Sequence, residues 1–279
     1  MSELVTNEVI AAAFKQACMA ELTALKPGNV HIFSDGHGMV VQQFIQSADA
    51  VAAVIAQPGL KVGERIFAAI EATWSVVDCN TNLGIVLLCA PLVAAALAGQ
   101  GSLQHRLQQV LQGLDVEDAN LAFKAIVRAN PAGLGGSNQH DVHATSEASL
   151  LAAMQASAQR DRIAWQYAHD FADIFGLGLK TYQQALDRWQ NEAWAVTTLY
   201  LTLLATYPDS HLLRKYGLAQ AEEVRLQAAE HLQAWLAQDN PKLYQRTLLQ
   251  FDADLKTNRL NPGTSADLTV ATLMAHALQ

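Results

Sequence analysis

The sequence predicts an all-α fold, a single globular multi-helix domain spanning residues 1–279. Three observations carry that prediction. Apolar residues recur at helical spacing, helix-start and helix-stop residues bound those stretches, and no run of alternating β-branched residues offers a strand. With 51% of its 279 residues hydrophobic and 16% charged, the chain can bury a large core and is too apolar for disorder. No internal repeat, low-complexity tract or Ser/Gly-rich linker divides it.

The first predicted helix carries Ile10, Phe14, Cys18, Glu21 and Leu25, spaced 4, 4, 3 and 4, so Glu21 lies in line with an apolar stripe. The stretch from Leu83 to Ala98 is apolar almost throughout, but it is shorter than the roughly 20 residues a membrane span needs. Pro91 also interrupts it, so a buried core helix is expected and no membrane partner. Asp115 reads as the N-cap of a helix running toward Arg128, with Asn130-Pro131 as its stop. Asp161 or a neighbour starts another through Tyr167 toward Phe175, which Gly176 and Gly178 are expected to end. A long helix follows to Thr206, and Pro208 breaks it. Leu218, Ala221, Val224, Ala228, Leu232 and Trp235 mark one face of a further helix. The last is expected to begin at Thr264, with Asp267 three residues on as a capping-box partner.

Charge and cysteine content narrow the function. Eighteen basic against 26 acidic residues give −8, which lacks the basic face of a nucleic-acid binder. A phosphorylated small molecule stays open if a few Lys and Arg converge, or if a divalent ion offsets the charge. Cys18, Cys79 and Cys89 show no CxxC spacing, and an odd number in so long a chain argues for a reducing compartment. The start, MSELVTNEV, has neither a basic end nor a long apolar run, so a cytoplasmic location is expected. An apolar helix face would allow a homodimer.

Chemistry is concentrated in the breaks between helices: residues 26–39, 78–84, 130–143, 208–217 and 257–267. In the first, Glu21 is either an edge residue reaching water or a buried carboxylate kept for catalysis or metal binding. Lys26, Gly28 and Asn29 can offer an ammonium and backbone N–H groups to a phosphate, while His31, Asp35 and His37 can ligate metal or move protons. In the second, Asn80, Thr81 and Asn82 are either ordinary N-cap residues or groups that meet an anion at a helix N-terminus. The third holds glycines, His140, Asp141 and His143, without the preceding strand of a Rossmann or Walker loop. The fourth offers two readings. Asp209 caps a short helix and Arg214-Lys215 is solvated, or Asp209 and His211 meet a metal while Arg214 and Lys215 hold phosphate oxygens. In the fifth, capping accounts for Thr264 and Asp267 without catalysis.

Taken in order, Glu21, Lys26-Pro27-Gly28, Gly36-His37-Gly38-Met39, Asn80-Thr81-Asn82-Leu83-Gly84, Asp209 through Gly217 and Pro262-Gly263-Thr264-Ser265-Ala266-Asp267-Leu268 resemble the triphosphoribosyl-dephospho-CoA synthase family over essentially the whole chain. Family members that serve citrate or malonate decarboxylases read Asn-Thr-His-Lys-Gly where this chain has Asn82 and Leu83. The stretches around Gly133 to Val142 and Arg160 to Tyr167 look closer to a branch from archaea and C1-metabolising bacteria. The resemblance implies a cytoplasmic ATP-dependent pentosyltransferase. It would displace adenine and join (triphospho)ribose to a coenzyme-type acceptor, with Mg²⁺ on the triphosphate.

Such a step passes through an oxocarbenium-like state and needs an anion by the ribose, a base for the acceptor and help for the leaving base. On that basis Glu21, Asp35 and His37 are the catalytic candidates. Lys26, Gly28, Asn29, Asn80, Thr81, Asn82, Arg214 and Lys215 would bind nucleotide and phosphate, and Asp209, Asp141 and Asp267 would serve the metal. Three alternatives remain: transfer to another coenzyme precursor, a helical phosphohydrolase using the doublets His140-Asp141 and His169-Asp170, or a non-catalytic binding protein. The second is disfavoured because His169 is expected in mid-helix.

Overall fold

In the computed structural model, residues 6–131, 142 and 144–279 are described. They form α1 (Asn7–Thr23), α2 (Val41–Ile55), α3 (Val62–Val77), α4 (Leu83–Leu97), α5 (Leu103–Gln112), α6 (Val116–Ala129), α7 (Leu150–Ser157) and α8 (Arg162–Ala168). A π-helical turn (Asp173–Gly178) leads into α9 (Leu179–Trp189), followed by α10 (Glu192–Thr206), α11 (Ser210–Tyr216) and α12 (Leu218–Leu236). After a short 3-10 turn (Pro241–Leu243) come α13 (Gln245–Thr257) and α14 (Gly263–Ala277). Among the described residues there is no strand, only the isolated bridges His31–Ser34 and Gly36–Met39. Among the described residues no helix is long and apolar enough to cross a membrane.

The all-apolar sequence of α4 explains its place. A helix without a polar face has no side to give to water, and α4 is buried nearly all round, as are α10 and α14. Helices with one apolar face wrap them: α1 packs on α2, α4, α10 and α14, while α3 lies between α2 and α6. A second, smaller apolar cluster joins α10 to α12 and α13 through Tyr200, Leu204, Val224, Trp235 and Phe251.

Local signals behave as capping chemistry predicts in several places. Asp115 and Asp118 cap α6 reciprocally, and Asn130 closes it in the left-handed region. Asp161 caps α8, and Asp209 caps α11.

Three expectations are corrected. Gly176 and Gly178 do not end a helix, because the π-turn carries them straight into α9. The break comes earlier, at Asp170 and Phe171, both at positive φ, where fully buried Phe171 turns into the core. Gly178 serves close packing instead, since a Cβ there would sit 2.6 Å from Thr272 Oγ1 on α14. The long helix to Thr206 is two helices. Gln190 closes α9 at positive φ and Asn191 accepts from Trp194 N to start α10. Finally, Thr264 and Asp267 form no capping box. Pro262 precedes α14 without a side-chain cap, and Asp209 reaches across from α11 to take Ser265 N and Oγ at 2.7 and 2.8 Å.

Candidate active site

Glu21 sits in the last turn of α1, where the apolar stripe carries it inward. The chain after it folds back on α1, with Ile32 N donating to Leu22 O, and is tied down from the opposite side by α13. Asp252 Oδ1 accepts from Gly28 N at 2.8 Å, and Lys256 Nζ donates to both Asp252 and Ser34 O. Tyr200 OH donates to Pro27 O at 2.7 Å, and His37 Nε2 pairs with Gly28 O at 2.7 Å. Gly28, at φ +83°, has Pro262 and Leu260 so close that a Cβ would meet them at under 3 Å. The Lys-Pro-Gly turn is therefore a rigid wall.

Beside that turn lies a cavity of about 500 Å³, within the range that encloses one small-molecule ligand. Glu21 and Asn29 contribute from the first segment, Asn80, Thr81, Asn82 and Gly84 from the start of α4, and Asn261, Thr264 and Asp267 from the start of α14. Arg160 and Asp161 ahead of α8, with Arg214 of α11, add charge, His211 of α11 adds an imidazole, and Phe44, Phe123, Met39 and Met154 supply apolar surface. Asn80 is fixed by Leu83 N, Thr81 by Ser47 Oγ at 2.6 Å and Asn82 by Thr73 Oγ1. At the start of α4 the acceptor is the neutral Asn80 Oδ1, which takes Leu83 N, whereas at the start of α14 it is the Asp209 carboxylate, so the partial positive charge at α4 is not met by a charged cap.

The ionisable groups sit in different environments. Burial raises Glu21, while Lys26, 2.6 Å away, opposes the rise. Asp267 has no hydrogen-bonding partner among the described residues. Burial, reinforced by Asp209, Glu21 and Asp161, pushes it well above the usual carboxylate range. His211 is pushed down to about 4, first by burial and then by Arg214 and Lys215, so it faces the cavity as a neutral imidazole at pH 7.

Of the residues singled out from sequence, Glu21, Asn29, Asn80, Thr81, Asn82, His211, Arg214 and Asp267 share this cavity. Lys26 is fully buried outside its wall, and Gly28 packs behind it against Pro262, Leu255 and Leu260. Asp35 is exposed and accepts from Val41 N at the start of α2; His37 holds the loop; Lys215 lies over Tyr216. Asp209 is buried with all its bonds spent on two helix starts. Asp141, like His140 and His143, lies outside the described residues. His169 ends α8 rather than sitting inside it, stacked on Trp165 with Nδ1 at Trp165 O. Sequence reasoning gave no site role to Asp161, Phe44, Phe123 or Met154, nor to the anchors Asp252 and Lys256. The i,i+4 pair Asp252–Lys256 was a readable signal for a helix surface pair only.

A search of curated proteins finds no match. Among solved structures, a chain from Archaeoglobus fulgidus, provisionally described as a triphosphoribosyl-dephospho-CoA synthase, superposes with a TM-score of 0.64. It is 21% identical over 85% of this chain and 98% of that one, a level that speaks to the fold. The CitG family, ATP:dephospho-CoA triphosphoribosyl transferase, matches residues 7–279. That span takes in every segment around the cavity, so the all-α architecture, the order of the polar breaks and the family match agree: the chain belongs to the ATP:dephospho-CoA triphosphoribosyl transferase family and is a transferase that moves an ATP-derived ribosyl group to a coenzyme-type acceptor.

Proposed function

We propose that this cavity is where ATP is opened at its anomeric carbon, that Glu21 is the carboxylate beside the ribose, and that dephospho-CoA supplies the attacking hydroxyl. The observation that carries this reading is the placement of Glu21 in the same cavity wall as the first turn of α4, which no charged side chain caps, and Arg214. A carboxylate there stabilises positive charge as the bond to adenine lengthens. The start of α4 and Arg214 favour the triphosphate. Thr81, Asn80 and Asn82 are neutral and fixed, suited to orient sugar and phosphate oxygens without adding charge. Neutral His211 can accept the acceptor's proton.

Among the described residues no three His, Cys, Asp or Glu side chains stand together as a metal site. Mg²⁺ usually binds through one or two carboxylates and the substrate's phosphates. Asp267 has acceptor atoms to spare, whereas those of Asp209 are taken by His211, Leu212 and Ser265. The ion would neutralise charge on the triphosphate.

Adenine release from ATP in the presence of dephospho-CoA, followed by chromatography, tests the assignment. Glu21→Gln should lose turnover by on the order of 10²–10⁴-fold, and Asp35→Asn should stay near wild type. Full turnover in Glu21→Gln would remove Glu21 from the mechanism.

A further inference from the structure

Lys26 occupies a place that a phosphate ligand would not take. Its side chain has no exposed surface, and it does not line the cavity. An ammonium has three donors, and all three are engaged: by Glu21 Oε1 at 2.6 Å, Asn29 Oδ1 at 2.9 Å and Val30 O at 2.5 Å. Glu21 meets Lys26 at Oε1. No described residue hydrogen-bonds its Oε2, although the residue forms part of the cavity wall.

We propose that Lys26 is a positioning residue, which fixes Glu21 through Oε1 from outside the cavity wall, leaves Oε2 for the ribose, and does not bind phosphate. This rests on the reading of Glu21 given above. Asn29 supports the arrangement, because its Oδ1 holds Lys26 while its Nδ2 donates to Asn261 ahead of α14. The geometry ties the anion's position to the same loop whose Asn29 lines the cavity. It is the way a supporting hydrogen bond orients a reactive group without touching substrate.

The pair also bears on protonation. Burial alone would keep a proton on Glu21, and the Lys26 ammonium opposes it; burial likewise lowers Lys26, and Glu21 opposes that. The other groups nearby are Cys18 on α1 itself, Tyr200 on α10, Asp252 on α13 and Asp267 on α14. From α4 comes Cys89, which faces Cys18, and the one charged residue of α2, Asp49, is paired with Lys15 at the surface. Lys256 of α13 and His31 face the Lys26 side of the pair, and Arg160 and Arg214 line the cavity, but the cation that acts on Glu21 itself and favours its ionised form is Lys26.

The experiment compares kcat/KM for ATP against pH in Lys26→Met and Lys26→Arg, read as adenine release. In Lys26→Met the acid limb should move up by about one pH unit or more, with turnover recovering as pH rises. In Lys26→Arg, which keeps the charge, the limb should stay near wild type. A higher KM for ATP with kcat and the acid limb unchanged would overturn the proposal.

Because one unpaired buried charge can prevent folding, the double variant Glu21→Gln/Lys26→Met, which removes both charges, is titrated calorimetrically with inorganic triphosphate. Binding within about threefold of wild type is expected, and its loss would overturn the assignment. If Glu21→Gln alone abolishes turnover while the double variant loses triphosphate, only the role of Lys26 falls. If Glu21→Gln turns over fully, the role of Glu21 falls and this one with it.

Discussion

Asp252 shows how one carboxylate can organise a site without entering it. Burial works against its charge, but His31, Lys256 and the Gly28 N–H more than offset that and hold its carboxyl below the usual range. A depressed folded pKa means that the stabilisation is complete above the unfolded value, about 4, and is lost as pH falls through the folded one. The gap in thermal midpoint between wild type and Asp252→Asn should therefore be wide at pH 6 and close as pH approaches 3. A gap independent of pH would show that packing, not charge, is what Asp252 provides. Gly84 makes a steric prediction at the same scale. A Cβ there would lie 2.0 Å from Asp267 Oδ2 and 2.4 Å from its Cγ, so Gly84→Ala must displace that carboxylate. The expected cost is about 1–3 kcal/mol of stability, together with reduced adenine release. Wild-type kinetics in Gly84→Ala would mean that the position of Asp267 is unimportant to turnover. Neither effect could be read in the sequence, where Gly84 and Asp267 are 183 positions apart.

At the scale of elements, Asp209 joins two helix starts through one side chain. Oδ1 takes His211 N and Leu212 N, and Oδ2 takes Ser265 N and Oγ. The sequence made the α11 cap legible, because an Asp after a Pro and before an apolar run is a familiar start. The second bond needed the fold, since Ser265 arrives from 56 residues away. Asp209→Asn puts an amide donor against donors already present, and stability should fall by about 3 kcal/mol. Chemical denaturation with and without Mg²⁺ separates the roles. Equal losses identify a cap, and a loss confined to Mg²⁺-containing buffer would identify a metal ligand. The split between α9 and α10 carries a related lesson. Asn191 was a readable cap, but apolar residues on both sides suggested one continuous helix, and only the left-handed turn at Gln190 separates the two.

For the molecule as a whole, the cavity is assembled from α1, α2, α4, α6, α7, α8, α11, α14 and connections between them, so a ligand inside it stabilises all of them together. ATP at about 100 times its dissociation constant should add roughly 2.7 kcal/mol, a rise of several degrees in thermal midpoint. Glu21→Gln, altered in chemistry but not in the phosphate-facing groups, should keep that rise. No shift with ATP in either protein would place nucleotide binding elsewhere.

What the sequence determined by itself was the helical class, the burial of α4 and the separate positions of polar breaks, because helix periodicity and capping act over a few residues. Even the order of the breaks was legible, and with it the family. Which polar residues face the ligand was decided by tertiary structure. Lys26, adjacent in sequence to a candidate phosphate loop, is drawn behind the wall by burial and three acceptors. Asp267, a plausible cap from spacing alone, is turned into the cavity because Asp209 already supplies the cap. In both cases a partner close in space but not fixed by local spacing settles the role, and hydrogen-bond saturation is a property of the folded neighbourhood rather than of the local chain.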